Sequence, residues 1–88
     1  MNNIEIAKKD FEILYWIEYM NYNNPKLLSE QLNVPKKEAK NKLLELEKKY
    51  LIKIEIREGE IYGSQLTKKG KEIWNSKKYS KWKEDLGY

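Results

Sequence analysis

The sequence predicts a small α+β domain that is mainly helical, with three helices, a β-hairpin and a further helix in that order. Apolar residues recur at helical spacing in three N-terminal segments, alternate with polar residues from Ile52 to Ile56, and return to helical spacing after Thr67. The 88 residues suffice for one hydrophobic core with little margin. We therefore assign residues 1–75 to a single domain and residues 76–88 to a helical extension.

The first long helix is predicted from Asp10 to Tyr22. Upstream of it, Ile4 and Ile6 alternate with polar residues, which fits either a short strand or a frayed extension of the helix. Trp16 is expected at the edge of the buried face. Four apolar residues at helical spacing form the expected core stripe: Ile13, Leu14, Ile17 and Met20.

The segment from Pro25 to Ile52 has the pattern of a helix-turn-helix followed by a strand. Asn24 is a suitable N-cap, and Pro25 suits the first helical position because its missing N–H would be unpaired there. Asn33 stands where the chain must turn, and Asn tolerates a left-handed backbone better than most residues. A second helix is predicted to begin after Pro35. Leu28 and Leu32 of the first helix are expected in the core.

The second helix of this pair has two faces. Its buried stripe is predicted to be Ala39, Leu43, Leu46 and Tyr50, and its outer face carries Lys37, Lys40, Asn41, Leu44 and Lys48. Runs of lysine on a helix are usually a solvated face, but after such a turn they favour a helix that lies in the DNA major groove. Lysines would contact phosphates, Asn41 an adenine edge and Leu44 a thymine methyl group.

Three segments carry a resemblance to a known family: DFEILYWI, LLSEQLNVPKKEAKNKLLELEKKYLI and LTKKGKEIW. Between Asp10 and Trp74 the chain resembles the winged helix-turn-helix transcription regulators. The resemblance implies a three-helix core, a β-hairpin wing and DNA binding. Asn33 replaces the family's turn glycine, Pro35 its serine cap and Tyr50 the glycine before the strand. Because proline has no hydroxyl, the phosphate contact of that serine is not carried over.

The candidate wing runs from Leu51 to Leu66. Its isoleucines alternate with charged residues, and Glu58-Gly59 indicates a tight turn. Gly63 indicates a bulge or a close backbone approach. Arg57 is the candidate for a wing contact in the minor groove. The alternative is a hairpin that only completes the core, because Glu55, Glu58 and Glu60 would repel phosphate.

The C-terminal segment predicts a dimer. Thr67 is expected to cap a helix from Lys68 to Trp74, with Ile73 in the core. Large aromatic residues beyond the needs of a small core favour a symmetric interface. The predicted interface residues are Phe11, Tyr15, Tyr19, Trp74, Tyr79, Trp82 and Leu86. The alternative is a tail that folds back over Phe11 and Tyr15 of its own chain.

The net charge of +4 is unevenly distributed along the chain. Residues 1–34 carry −2, residues 35–50 carry +3, residues 51–66 carry −1 and residues 67–88 carry +4. The positive charge is therefore concentrated on the proposed recognition helix and the C-terminal segment. That distribution is expected of a protein that binds a polyanion.

The residue inventory disfavours several other classes. The chain has no His and no Cys, so the commonest general base and the soft metal ligands are missing, and we expect no enzyme, no metal site and no cofactor. No apolar run approaches the ~20 residues of a membrane span, so we expect a cytoplasmic protein without a membrane partner. The sequence does not indicate an effector molecule.

Two functions are therefore carried forward. The first is a small sequence-specific regulator that binds double-stranded DNA as a homodimer. The alternative is a winged-helix module that binds protein through Leu44 and the tail aromatics. The predicted DNA-contacting residues are Lys26, Lys36, Lys37, Lys40, Asn41, Leu44 and Arg57.

Overall fold

The computed structural model describes residues 6–87 and confirms an α+β domain that is mainly helical. Within this range two neighbouring strands form an antiparallel sheet. Ile6 is buried but belongs to neither a helix nor a strand, and Ile4 lies outside the described residues. The elements are α1 (Lys8–Met20), α2 (Pro25–Leu32), α3 (Lys36–Lys48), β1 (Ile52–Arg57), β2 (Glu60–Leu66), α4 (Lys68–Trp74), a 3-10 turn (Lys77–Tyr79) and α5 (Ser80–Asp85).

Both ends of α2 and the start of α4 follow the capping residues that the sequence predicts, whereas α1 begins and ends two residues earlier than predicted. The side chain of Asn24 accepts a hydrogen bond from the Leu27 N–H at 2.9 Å, and Pro25 begins α2. Asn33 ends α2 in a left-handed conformation with φ of 57°. Thr67 caps α4 by accepting from the Gly70 N–H at 3.1 Å. Each cap satisfies a backbone group that the helix itself leaves unpaired.

The three predicted stripes converge on one core, with two exceptions. Leu28, Ala39, Leu43 and Leu46 are fully buried, as are Ile13 and Leu14 of α1. The prediction for Met20 is wrong: it is 42% exposed, because α1 ends there and the left-handed Asn21 turns the chain away. The prediction that Tyr50 belongs to the buried stripe of α3 is also wrong. Tyr50 is 73% exposed and lies beyond the end of the helix, with φ of 63°.

The hairpin has the tight turn predicted at Glu58-Gly59 and the β-bulge predicted at Gly63. Glu58 and Gly59 both have positive φ, as a tight two-residue hairpin turn requires. Glu55 pairs with Gly63 and Ile56 pairs with Ile61, so one extra residue forms a bulge beside Gly63.

The start of α4 docks directly on the segment that joins α3 to β1. The N–H of Thr67 donates to the carbonyl of Leu51 at 3.0 Å, and its hydroxyl donates to the carbonyl of Tyr50 at 2.7 Å. Gly70 lies against the same segment, where a Cβ atom would come within 2.2 Å of the Leu51 oxygen. Only glycine permits this approach, and the sequence did not single out Gly70.

The C-terminal tail folds back over α1 of its own chain. The ring of Phe11 stacks on Trp74 with centroids 4.9 Å apart, and it also contacts Tyr79 and Trp82. The indole N–H of Trp74 donates to the Tyr19 hydroxyl at 2.8 Å. Trp82 and Leu86 are partly buried against this cluster.

This arrangement corrects the premise of the dimer prediction. Phe11, Trp74 and Tyr79 were expected to remain uncovered in a single chain, but all three are buried within it. Residues 76–87 cover this surface, because Tyr79, Trp82 and Leu86 all pack in or against the core. The structure has the fold-back arrangement that the sequence left as the alternative.

A buried carboxylate joins the beginning of α1 to the end of α3. Asp10 is only 4% exposed, and its two carboxylate oxygens lie 3.3 Å from Lys49 Nζ and 3.9 Å from Lys42 Nζ. The lysines keep part of their side chains in solvent. Because a buried carboxylate is costly without partners, this ion pair fixes the two helices relative to each other.

Gly70→Ala should destabilise the protein by roughly 1–3 kcal/mol, because the new methyl group would overlap the Leu51 carbonyl. Urea denaturation followed by circular dichroism measures this. The control is Gly63→Ala, whose Cβ would meet only the Asn23 side chain at 3.9 Å. A Gly70→Ala protein as stable as the parent would show that α4 is not held by this contact, since alanine is otherwise the better helix former.

Asp10→Asn should lower the free energy of unfolding by roughly 1–3 kcal/mol, because it weakens the charge-assisted hydrogen bond from Lys49 and removes the ion pair with Lys42. Asp85→Asn is the matched control, since Asp85 pairs with Lys8 at 3.0 Å in an exposed position. The same denaturation assay compares them. Equal effects of the two substitutions would contradict a structural role for the buried pair.

Candidate nucleic-acid interface

A concave surface lies between the N-terminal ends of α2 and α3 and one face of the hairpin. We call it the basic groove. Six cationic and two acidic side chains line it, so positive charge predominates. The charged residues of the basic groove are Lys26, Lys36, Lys37, Lys40, Lys53, Arg57, Glu55 and Glu60.

The start of α3 supplies half of the cations. Lys36 and Lys37 occupy the first turn of the helix and Lys40 follows one turn later, and all three side chains are exposed. Pro35 precedes them and has no side-chain acceptor, and α3 has no side-chain cap among the described residues. The positive end of the helix dipole therefore adds to the charge of the lysines. This end of α3 is suited to bind an anion.

Lys26 and Lys53 approach the same surface from other elements. Lys26 lies in the first turn of α2, which the Asn24 cap orients. Lys53 lies at the base of β1 and pairs in register with the uncharged Gln65. The sequence analysis missed Lys53. The signal was its alternation with Ile52 and Ile54, which places it on the same strand face as Arg57.

Arg57 is engaged by its own hairpin. Its Nη2 and Nε lie 2.8 and 2.9 Å from Glu55 Oε2. The guanidinium carbon also lies 4.0 Å from the centre of the Tyr62 ring, a cation–π geometry. Arg57 thus lines the groove as predicted, but its charge is compensated by a neighbouring carboxylate.

Two predicted contact residues lie outside the lining of the basic groove. Asn41 and Leu44 are on the exposed side of α3, where Leu44 is 38% exposed. The structure therefore brings together Lys26, Lys36, Lys37, Lys40 and Arg57, and it leaves Asn41 and Leu44 on the adjoining helix surface.

The lysines of the C-terminal segment do not join this surface. None of the residues from Thr67 onward lines the groove within the described part of the chain. Lys69 lies 5.7 Å from the Tyr50 ring centre, Lys78 lies 5.6 Å from that of Tyr79, and Lys83 lies 4.8 Å from that of Trp74. The two positive regions of the sequence are therefore separate in the fold.

Residues 6–87 contain no group of three or more His, Cys, Asp or Glu side chains arranged to hold a metal ion. Over the same range, no helix has both the length and the apolar character needed to cross a membrane.

Comparison with known proteins assigns no family to this site. The chain matches no protein-family model, no curated protein sequence and no solved structure. The resemblance to winged helix-turn-helix regulators stays a prediction, and the function has to be inferred from the placement and charge of the residues themselves.

Proposed function

We propose that this protein binds double-stranded DNA, with α2, the Asn33 turn and α3 as a helix-turn-helix and the hairpin as its wing. The observation that carries the proposal is the set of lysines at the start of α2 and α3. Lys26, Lys36, Lys37 and Lys40 line one surface, and none forms a salt bridge within residues 6–87. Unpaired cations clustered on one surface are the electrostatic requirement for binding phosphate backbone.

The arrangement suits a helix presented to the major groove. The buried stripe of α3 packs against α2, and the Asp10 ion pair lies at its C-terminal end. The opposite face of α3 is exposed to solvent. In the proposed complex Lys36, Lys37 and Lys40 contact phosphates, while Asn41 and Leu44 meet base edges. Lys26 contacts the flanking backbone. A sequence-specific interaction of this kind is what a transcription regulator requires.

A protein-binding module is the second candidate, and specific observations favour it. Leu44 and Tyr62 are exposed apolar residues, and Glu55 and Glu60 place negative charge inside the groove. A protein partner would be held by apolar contacts that depend weakly on salt, whereas duplex binding must weaken steeply as salt rises. Salt dependence therefore separates the two candidates.

Lys37→Glu combined with Lys40→Glu should abolish binding to a labelled random duplex, measured by fluorescence anisotropy at two salt concentrations. The variant should remain folded, because both side chains are exposed and a glutamate near the start of a helix is favourable.

The matched control is Lys71→Glu combined with Lys81→Glu. It makes the same change in net charge at exposed positions outside the groove. The control should retain most of the parent's affinity. Equal losses in the two double variants would mean that net charge alone drives binding, and undiminished binding by the groove variant would exclude α3 as the contact surface.

The homodimer also stays a prediction. The predicted interface residues expose less apolar surface than the sequence indicates, so the support for a dimer is weaker. Tyr19 is 41% exposed and Tyr15, Trp82 and Leu86 are partly exposed, whereas Phe11, Trp74 and Tyr79 are buried. A dimer that spans successive major grooves would hold its two α3 helices ~34 Å apart. Light scattering should then give the mass of two chains, and a one-chain mass both alone and on a duplex with two half-sites would exclude the dimer.

A further inference from the structure

We propose that Lys53, and not Arg57, is the residue through which the hairpin contacts DNA phosphate, and that Glu55 withholds Arg57 from that contact. The inference rests on the proposed duplex binding and assigns roles within that same site. It also departs from the sequence prediction, in which Arg57 was the wing contact.

Because Arg57 already has partners, a contact with phosphate would add little binding free energy. Nε already donates to Glu55 Oε2, Nη2 forms an ion pair with the same oxygen, and Tyr62 lies against the guanidinium. A phosphate that approached Arg57 would also approach the Glu55 carboxylate, so attraction and repulsion would largely cancel. Such an exposed ion pair contributes little to stability, and its main effect here is to neutralise the hairpin near its turn.

Lys53 differs in each of these respects. Among residues 6–87 it forms no salt bridge, and its partner across the sheet is the uncharged Gln65. It lines the basic groove with the three lysines of α3. Its neighbour Ile52 is buried and pairs with the buried Leu66, so the backbone of Lys53 is anchored to the core.

These differences predict how the hairpin contributes to recognition. A lysine supplies a point charge to phosphate, whereas an arginine inserted in a narrow minor groove reads its width. The hairpin should therefore strengthen binding to all duplexes alike and add no preference for A-tract sequences. Releasing Arg57 from Glu55 should add a cation to the contact surface.

The experiment measures affinity for a random duplex across a salt series by fluorescence anisotropy, with the parent and three single variants. Lys53→Gln should flatten the slope of log affinity against log salt by roughly 0.9, the value for one phosphate contact. Arg57→Gln should leave the slope unchanged. Glu55→Gln should steepen it by a similar increment, because the guanidinium becomes available. All three variants should fold, because the three side chains are exposed. Circular dichroism checks this.

The outcomes distinguish a failure of this inference from a failure of the proposed duplex binding on which it rests. A parent that shows no salt-dependent duplex binding contradicts the proposed function itself. A parent that binds, with a flatter slope in Arg57→Gln and an unchanged slope in Lys53→Gln, keeps the function and overturns the inference. An unchanged slope in Glu55→Gln overturns the role given to Glu55. A steeper slope in Glu55→Gln supports it.

Discussion

The fold depends on the close approach of α4 to the backbone between α3 and β1. The Tyr50 and Leu51 carbonyls accept hydrogen bonds from Thr67, and Gly70 has no side chain to obstruct the Leu51 oxygen. The left-handed Tyr50 turns the chain so that Leu51 and Ile52 enter the core directly after α3. One junction thus sets the angle between α3 and the hairpin, the two elements that line the basic groove together with the start of α2.

The groove is a consequence of this junction together with the ion pair between Asp10 and Lys49, the residue that precedes Tyr50. Asp10 holds the C-terminal end of α3 through Lys49, whereas the packing of Leu28 against the helix stripe holds its middle. The N-terminal end is left pointing outward beside α2. The lysines at the start of α3 are therefore positioned by buried contacts farther along the same helix. Such support is what a well-defined binding surface requires.

Local signals and long-range contacts differ in how far the sequence reveals them. Asn24, Asn33 and Thr67 act within a few residues of their own position, and their roles could be predicted from residue type alone. Gly70 and Asp10 act on partners far along the chain, and nothing near them in sequence indicates those partners. The same limit explains Lys53, whose importance depends on which face of the hairpin turns toward α3. The tail packing onto Phe11 was left open for this reason.

The start of α3 has no side-chain cap and carries two lysines in its first turn. α2 and α4 begin with capping side chains, whereas α1 and α3 do not. First-turn lysines that oppose the helix dipole occur in α1, α3 and α4, and in α3 the first-turn Glu38 complements the dipole. Each departure costs a few tenths to about 1 kcal/mol, and a serine or aspartate would avoid it. Departures from local consistency are expected where function competes with stability. Because α1 has the same kind of start, the departure at α3 does not by itself locate a binding surface. The proposed surface rests on the groove, where four lysines without a salt bridge among residues 6–87 lie together at the starts of α2 and α3.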